Sequence, residues 1–262
     1  MTDAFENPIP LTRPALRVMA FLLILSAVFV CAYLAGANLQ AFTTNTFADA
    51  RELAGVANFE NVFSNLAFLI VGVFGLRTLS GLRAVPAAWR VFYAGLVLTC
   101  AGSAFYHLAP SDASILWDRL GMTVSFTGLA VALFEQCTGV RLGSVGLVAA
   151  LVVAGASVIW WRLSGDLVPY AGVQATPLAF AALAILARWV PARLRRALEV
   201  SSLFYLLAKL AEMRDAEIYA ATDHLVSGHT LKHLLAAVSA AAILAVHLKQ
   251  RRDLVTARGV SC

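Results

Sequence analysis

The chain has 262 residues, of which 60% are hydrophobic and only 13% charged, with a formal net charge of +5. An ordinary soluble domain is about 45–50% apolar and about 25% charged, so the composition argues against a soluble globular domain and for a membrane protein. The positive charge is not a nucleic-acid signature, because no basic block is interleaved with aromatic residues as a single-strand groove requires.

Residues 1–16 carry Asp3, Glu6 and three prolines, unlike the short basic start of a secretory signal, and are read as a cytoplasmic segment. A spanning helix needs about 20 mostly apolar residues. Apolar runs near 17–37, 59–79, 88–108, 114–135, 143–161, 169–187, 197–212 and 229–248 predict eight such helices. The first, Val18 to Ala37, is read as retained in the mature chain. The seventh is short and holds Lys209 and Glu212, whose expected place is the bundle interior. Short connections and the absence of a visible repeat predict one all-α membrane domain over 17–248, with a core at 58–248 and a basic cytoplasmic tail at 249–262.

Charge supplies a topology. Basic residues concentrate on the cytoplasmic side of alternate loops. With the N-terminus inside, the inner segments hold Arg13 and Arg17, Arg77, Arg83 and Arg90, Arg141, Arg188 to Arg196, and Lys249 to Arg258, which are most of the 20 Lys and Arg. The outer segments hold Asp49, Glu52, Asp112, Asp166, Asp215, Glu217 and Asp223. Both termini are therefore expected inside.

This topology puts several polar residues at one depth near the outer interface. His107 closes the third helix in GSAFYHLAP, Asp118 opens the fourth in SILWDRLGM, and His229 and His233 open the last in SGHTLKHLL. Two histidines four apart share a helix face and are able to bind one ion. With His107 they make three imidazoles, and three protein ligands with an open position are the pattern of a catalytic zinc site. Ser103, four residues before His107, shares its face and is able to bond a bound water or an oxyanion, or simply its own backbone. Asp118 suits a general base and acid, a fourth ligand, or a partner orienting a histidine. The bland alternatives are a pair with Arg119 or a helix cap.

The other polar residues are assigned by place. His224 and His247 are expected at the surface or an interface, and Lys232 is expected to face away from the ligands and snorkel to the headgroups. Asn58, Glu60, Asn61, Ser64 and Asn65 open the second helix and are expected to bond between helices in support of the site. Cys31, Cys100, Cys137 and Cys262 are widely spaced, with no C-x-x-C pair, so neither a disulfide framework nor a thiolate zinc site is indicated.

The pattern S-x3-H, a D eleven residues later and H-x3-H in the last helix is met by Ser103, His107, Asp118, His229 and His233. With the segment FENVFSNLAF, it resembles the alkaline ceramidase family, within the superfamily that also holds adiponectin-type receptors and haemolysin-III-like proteins. The likeness spans about Asn58 to Leu248 and implies a seven-helix core plus one extra N-terminal helix. It implies that His107, His229 and His233 bind zinc, that Asp118 is general base and acid, and that Ser103 partners the water or oxyanion. The implied reaction is hydrolysis of a ceramide-like lipid amide to a sphingoid base and a fatty acid, with the substrate entering from the bilayer. Where the eukaryotic enzymes have an acidic calcium-binding stretch, this chain has TFADARELAGVANFEN, which argues against calcium. The Ala- and Arg-rich composition suggests a bacterial inner membrane, with the site near the periplasmic face. The rival reading is a receptor or signalling protein with a structural zinc. A transporter ranks behind both, because the middle of the last helix, AAVSAAAILAV, offers only Ser239.

Overall fold

Proline and glycine punctuate the helices. Pro86 and Pro191 immediately precede two of them, where a missing N–H leaves no bond unmade. Gly139 and Gly165 end two others in the left-handed conformation, at φ 73° and 75°, and return their N–H groups to the carbonyls of Glu135 and Trp161. The protein is described by a computed structural model covering residues 14–35, 46–82 and 85–259. The remaining residues, among them most of the expected N-terminal segment, Ala37, Arg83 and Cys262, lie outside the described residues.

Among the described residues ten helices follow in order: α1 (Pro14–Leu34), α2 (Phe59–Phe63), α3 (Leu66–Ser80), α4 (Ala87–Leu108), α5 (Ile115–Thr138), α6 (Gly143–Ser164), α7 (Val168–Leu186), α8 (Ala192–Met213), α9 (Asp215–Ala221) and α10 (Gly228–Gly259). No strand forms among the described residues beyond an isolated bridge between Leu53 and Val56. Seven segments of the described residues are long and apolar enough to cross a membrane, α2 and α3 counting together as Phe59–Ser80. The fold is thus an all-α polytopic membrane helix bundle. The helix expected over 197–212 is longer, with 22 residues, because its first turn takes in Arg193, Arg195 and Arg196. Those charges, with Glu199, Lys209 and Glu212, keep α8 out of the apolar set despite its length.

The centre of the bundle is the α4–α5 pair, and its closeness rests on four glycines spaced seven apart on each helix. A Cβ at Gly95 would lie 2.3 Å from the Ser125 nitrogen, at Gly102 2.2 Å from the Trp117 carbonyl oxygen, at Gly121 2.7 Å from the Thr99 nitrogen, and at Gly128 2.4 Å from the Phe92 nitrogen. Small residues at such a seam let backbones meet where lipid gives no hydrophobic drive for helices to associate. A second pair, α8 and α10, is joined across the interior by Ser201 and Ser239, whose hydroxyl oxygens are 2.9 Å apart. Helix α1 docks on α7 and α5 through Phe21, whose ring meets Phe180 edge-on at 4.5 Å.

Several of the arginines gather at one end. There Arg17 donates to the Cys137 carbonyl at 2.9 Å, Arg251 to the Arg77 carbonyl at 3.0 Å, and Arg193 pairs with Asp253 at 3.2 Å. Glu135 sits at this end too, accepting the Leu142 N–H at 2.9 Å and pairing with Arg141 at 3.4 Å. His247 departs from the surface or interface position expected of it. Because α10 continues to Gly259, this residue lies within the helix rather than at its end, and it is fully buried. Its Nδ1 is 2.8 Å from the Tyr93 hydroxyl, and its ring packs edge-on against Trp89. His224 is exposed, in the turn before α10, as its position suggested.

Candidate metal centre

Three histidine rings meet at the end of the bundle opposite Arg17, Arg77, Arg193 and Arg251. His107, near the C-terminal end of α4, and His229 and His233, in the first turns of α10, have ring centroids 4.8, 4.9 and 5.1 Å apart. One nitrogen from each lies within 4.8 Å of the others. Within the trio, the Nε2 atoms of His107 and His229 are 3.3 Å apart. Two imidazole nitrogens about 2.0–2.1 Å from a tetrahedral centre stand about 3.3 Å from each other, so this spacing suits a shared zinc ion. The donor set is also one that zinc accepts.

The surroundings show why these side chains converge. Helix α10 begins where Gly228 meets the end of α8, and a Cβ there would lie 2.2 Å from the Ala211 carbonyl oxygen. The Asp215 carboxylate accepts the His229 N–H at 2.7 Å and the Ala48 N–H at 2.9 Å, tying the start of α10 to the segment before α2. From that segment the Phe47 ring lies edge-on to both His107 and His229, at 4.7 and 4.8 Å.

Of the polar residues at α2 and its flanks, Asn58, Asn61 and Ser64 bond to other segments as expected, while Asn65 does not. Asn58, in the left-handed conformation, donates to the His107 carbonyl at 2.9 Å. Asn61 donates to the Asp49 carbonyl at 3.1 Å and accepts from Thr230 at 3.0 Å. Ser64 lies 2.8 Å from His233 Nδ1. Asn65 instead donates back to the Asn61 carbonyl of its own segment.

Ser103 and Asp118 come together because Gly102 packs on the backbone of Trp117 and Asp118. Both side chains line the same cavity. Asp118 makes no side-chain cap of α5, although it stands in its first turn. Neighbouring Arg119 turns to aromatic rings instead, its guanidinium 3.6 Å from the centre of Trp161 and 5.2 Å from that of Tyr170.

These groups share one cavity of about 430 Å³. Its polar part is lined by Ser103, Asp118, Arg119, His229, Lys232 and His233, while His107, 1% exposed, stands behind the other two histidines. From there the cavity descends between the helices past Phe92, Leu96, Leu129, Leu178, Ala240 and Ile243. His233 to Ile243 is ten residues of helix, a depth of about 15 Å.

Lys232 does not face away from the ligands, as the sequence suggested. It is three residues after His229, which on a helix is the same face, and its ammonium lies 2.9 Å from His229 Nε2 and 3.0 Å from Glu212 Oε1. Glu212 also pairs with Lys209, so the two charges of α8 enter the site through a Lys–Glu–Lys bridge. Ligation by His229 would require Lys232 to give up one bond while keeping Glu212. The i, i+3 spacing of His229 and Lys232 was the signal available in the sequence; the roles of Phe47, Asp215 and Glu212 depend on contacts between distant segments. No protein-family model matches this chain, and no curated protein does either.

Proposed function

We propose that the protein is a zinc-dependent integral-membrane hydrolase that cleaves the amide bond of a ceramide-like lipid, as the alkaline ceramidases do. The observation that carries this reading is the cavity in which His229, His233, Ser103 and Asp118 face the head of a long, largely apolar recess, with His107 clustered behind the two histidines. His107, His229 and His233 would hold the ion, which when bound lowers the pKa of a coordinated water to about 7 and polarises a carbonyl.

The residues divide the remaining work. Asp118 is placed to take a proton from the attacking water and to pass it to the departing amine, so that the amide C–N bond breaks to a free amine and a fatty acid. Ser103, on the same cavity wall, would bond the water or the developing oxyanion. The apolar depth receives an acyl chain, and Phe47 shields the histidines from bulk water. The charge pattern supports an orientation with the arginine-rich end in the cytoplasm and the histidine end near the periplasmic face of a bacterial inner membrane.

Purified protein in detergent tests the proposal when offered ceramides, N-acyl amino acids and lysolipids with and without chelator. His229→Ala is expected to lose both zinc and hydrolysis. Asp118→Asn is expected to keep zinc and the fold while hydrolysis falls about 100-fold or more. Full hydrolysis without metal, or zinc retention with no turnover of any lipid amide, overturns it.

A further inference from the structure

The charged groups lining the cavity are unequally partnered. Lys209 and Lys232 both hold Glu212, and Asp215 is engaged by two backbone N–H groups. Arg119 has no such partner. It is 6% exposed, its Nη1 is buried without a hydrogen bond to any described residue, and Asp112 and Asp118 act on it only through space. Burying a guanidinium without a hydrogen-bonded counter-charge is unfavourable, and contacts with the Trp161 and Tyr170 rings offset only part of that. The stack on Trp161 also fixes the plane of the guanidinium fork, the arrangement suited to a carboxylate or phosphate.

We propose that Arg119 seats an anionic headgroup, so that the lipid amides taken by this site carry a carboxylate or phosphate rather than a neutral head. This rests on the lipid-amide reading above. The charged group belongs to the amine fragment of the substrate. The acyl chain takes the apolar recess, and Arg119 adjoins Asp118, the residue that serves the departing amine. Arg119 is thus a specificity-determining residue, and its side chain need take no part in bond breaking.

Three probes with one acyl chain separate the possibilities: N-palmitoylglycine, N-palmitoyl-O-phosphoethanolamine and neutral N-palmitoylethanolamine. Their affinities for the full-length protein are read on rapid mixing by quenching of tryptophan fluorescence, to which Trp161 contributes. At least one anionic probe is expected to bind about tenfold or more tighter than the neutral one, the scale of a hydrogen bond to a charged group. The tighter of the two names the headgroup. Arg119→Gln is expected to abolish the difference while leaving the neutral probe's affinity unchanged, and Arg119→Lys to restore part of it. Anionic probes that bind no tighter than the neutral one, or a preference that survives Arg119→Gln, overturn this proposal alone. Failure of all three to bind overturns it together with the lipid-amide reading.

Discussion

The Ser64 hydroxyl oxygen and His233 Nδ1 are 2.8 Å apart, and a second contact sets the direction of the bond between them. Ser64 gives its own hydrogen to the Asn61 carbonyl at 3.1 Å, so its oxygen accepts the Nδ1–H of His233. With that bond in place Nδ1 carries the proton, and the Nε2 lone pair is left for a ligand. A partner of this kind typically changes metal affinity about 10–100-fold. Ser64→Ala is expected to weaken zinc binding by about tenfold or more in a chelator competition, while Ser64→Thr retains it. Equal affinity in all three proteins would reduce Ser64 to a packing residue.

The glycine seam separates stability from chemistry. Gly102→Ala and Gly128→Ala each push a methyl group against backbone of the facing helix, and each is expected to destabilise the bundle by about 1–3 kcal/mol. Only Gly102 lies beside Ser103 and Asp118. Thermal unfolding in detergent should therefore show similar losses for the two variants, with the larger loss of hydrolysis in Gly102→Ala. Equal losses of hydrolysis would mean that the seam acts on the site only through overall stability.

Lys232 holds the nitrogen of His229 that a metal would take. Its ammonium is both a competitor for that lone pair and a like charge beside a bound cation. Lys232→Met is expected to raise zinc affinity, measured by chelator competition, and a lower affinity would instead make Lys232 a support for the site.

Asp49 provides the pH dependence. Burial opposes its charge, but hydrogen bonds from the Arg51 side chain and backbone, together with the Arg51 charge, outweigh burial and hold the carboxyl below its ordinary value of 3.8. A depressed carboxyl stabilises the fold at pH above its unfolded-state value, and that contribution is lost as pH falls through the lower folded-state value. The unfolding temperature of the wild type should therefore fall more steeply than that of Asp49→Asn below about pH 4. Parallel profiles would show that the Asp49–Arg51 pair adds nothing.

Composition and apolar run length by themselves determined that this chain is a polytopic helix bundle, because each span is a local property of about 20 consecutive residues. Spacing alone marked His229 and His233 as one face of a helix, and charge bias placed His107 and Asp118 near their depth. Helix α8 was harder to bound, since Arg193, Arg195 and Arg196 made its first turn look like loop. Tertiary structure decided the rest. His247 is buried because α4 covers it through Trp89 and Tyr93, a contact between segments 154 residues apart. Lys232 turns inward because Glu212 of α8 waits beside α10. His233 Nδ1 has its partner in Ser64, 169 residues away. Such pairings leave no periodic trace in the chain, because they are made only when helices distant in sequence pack at a particular register.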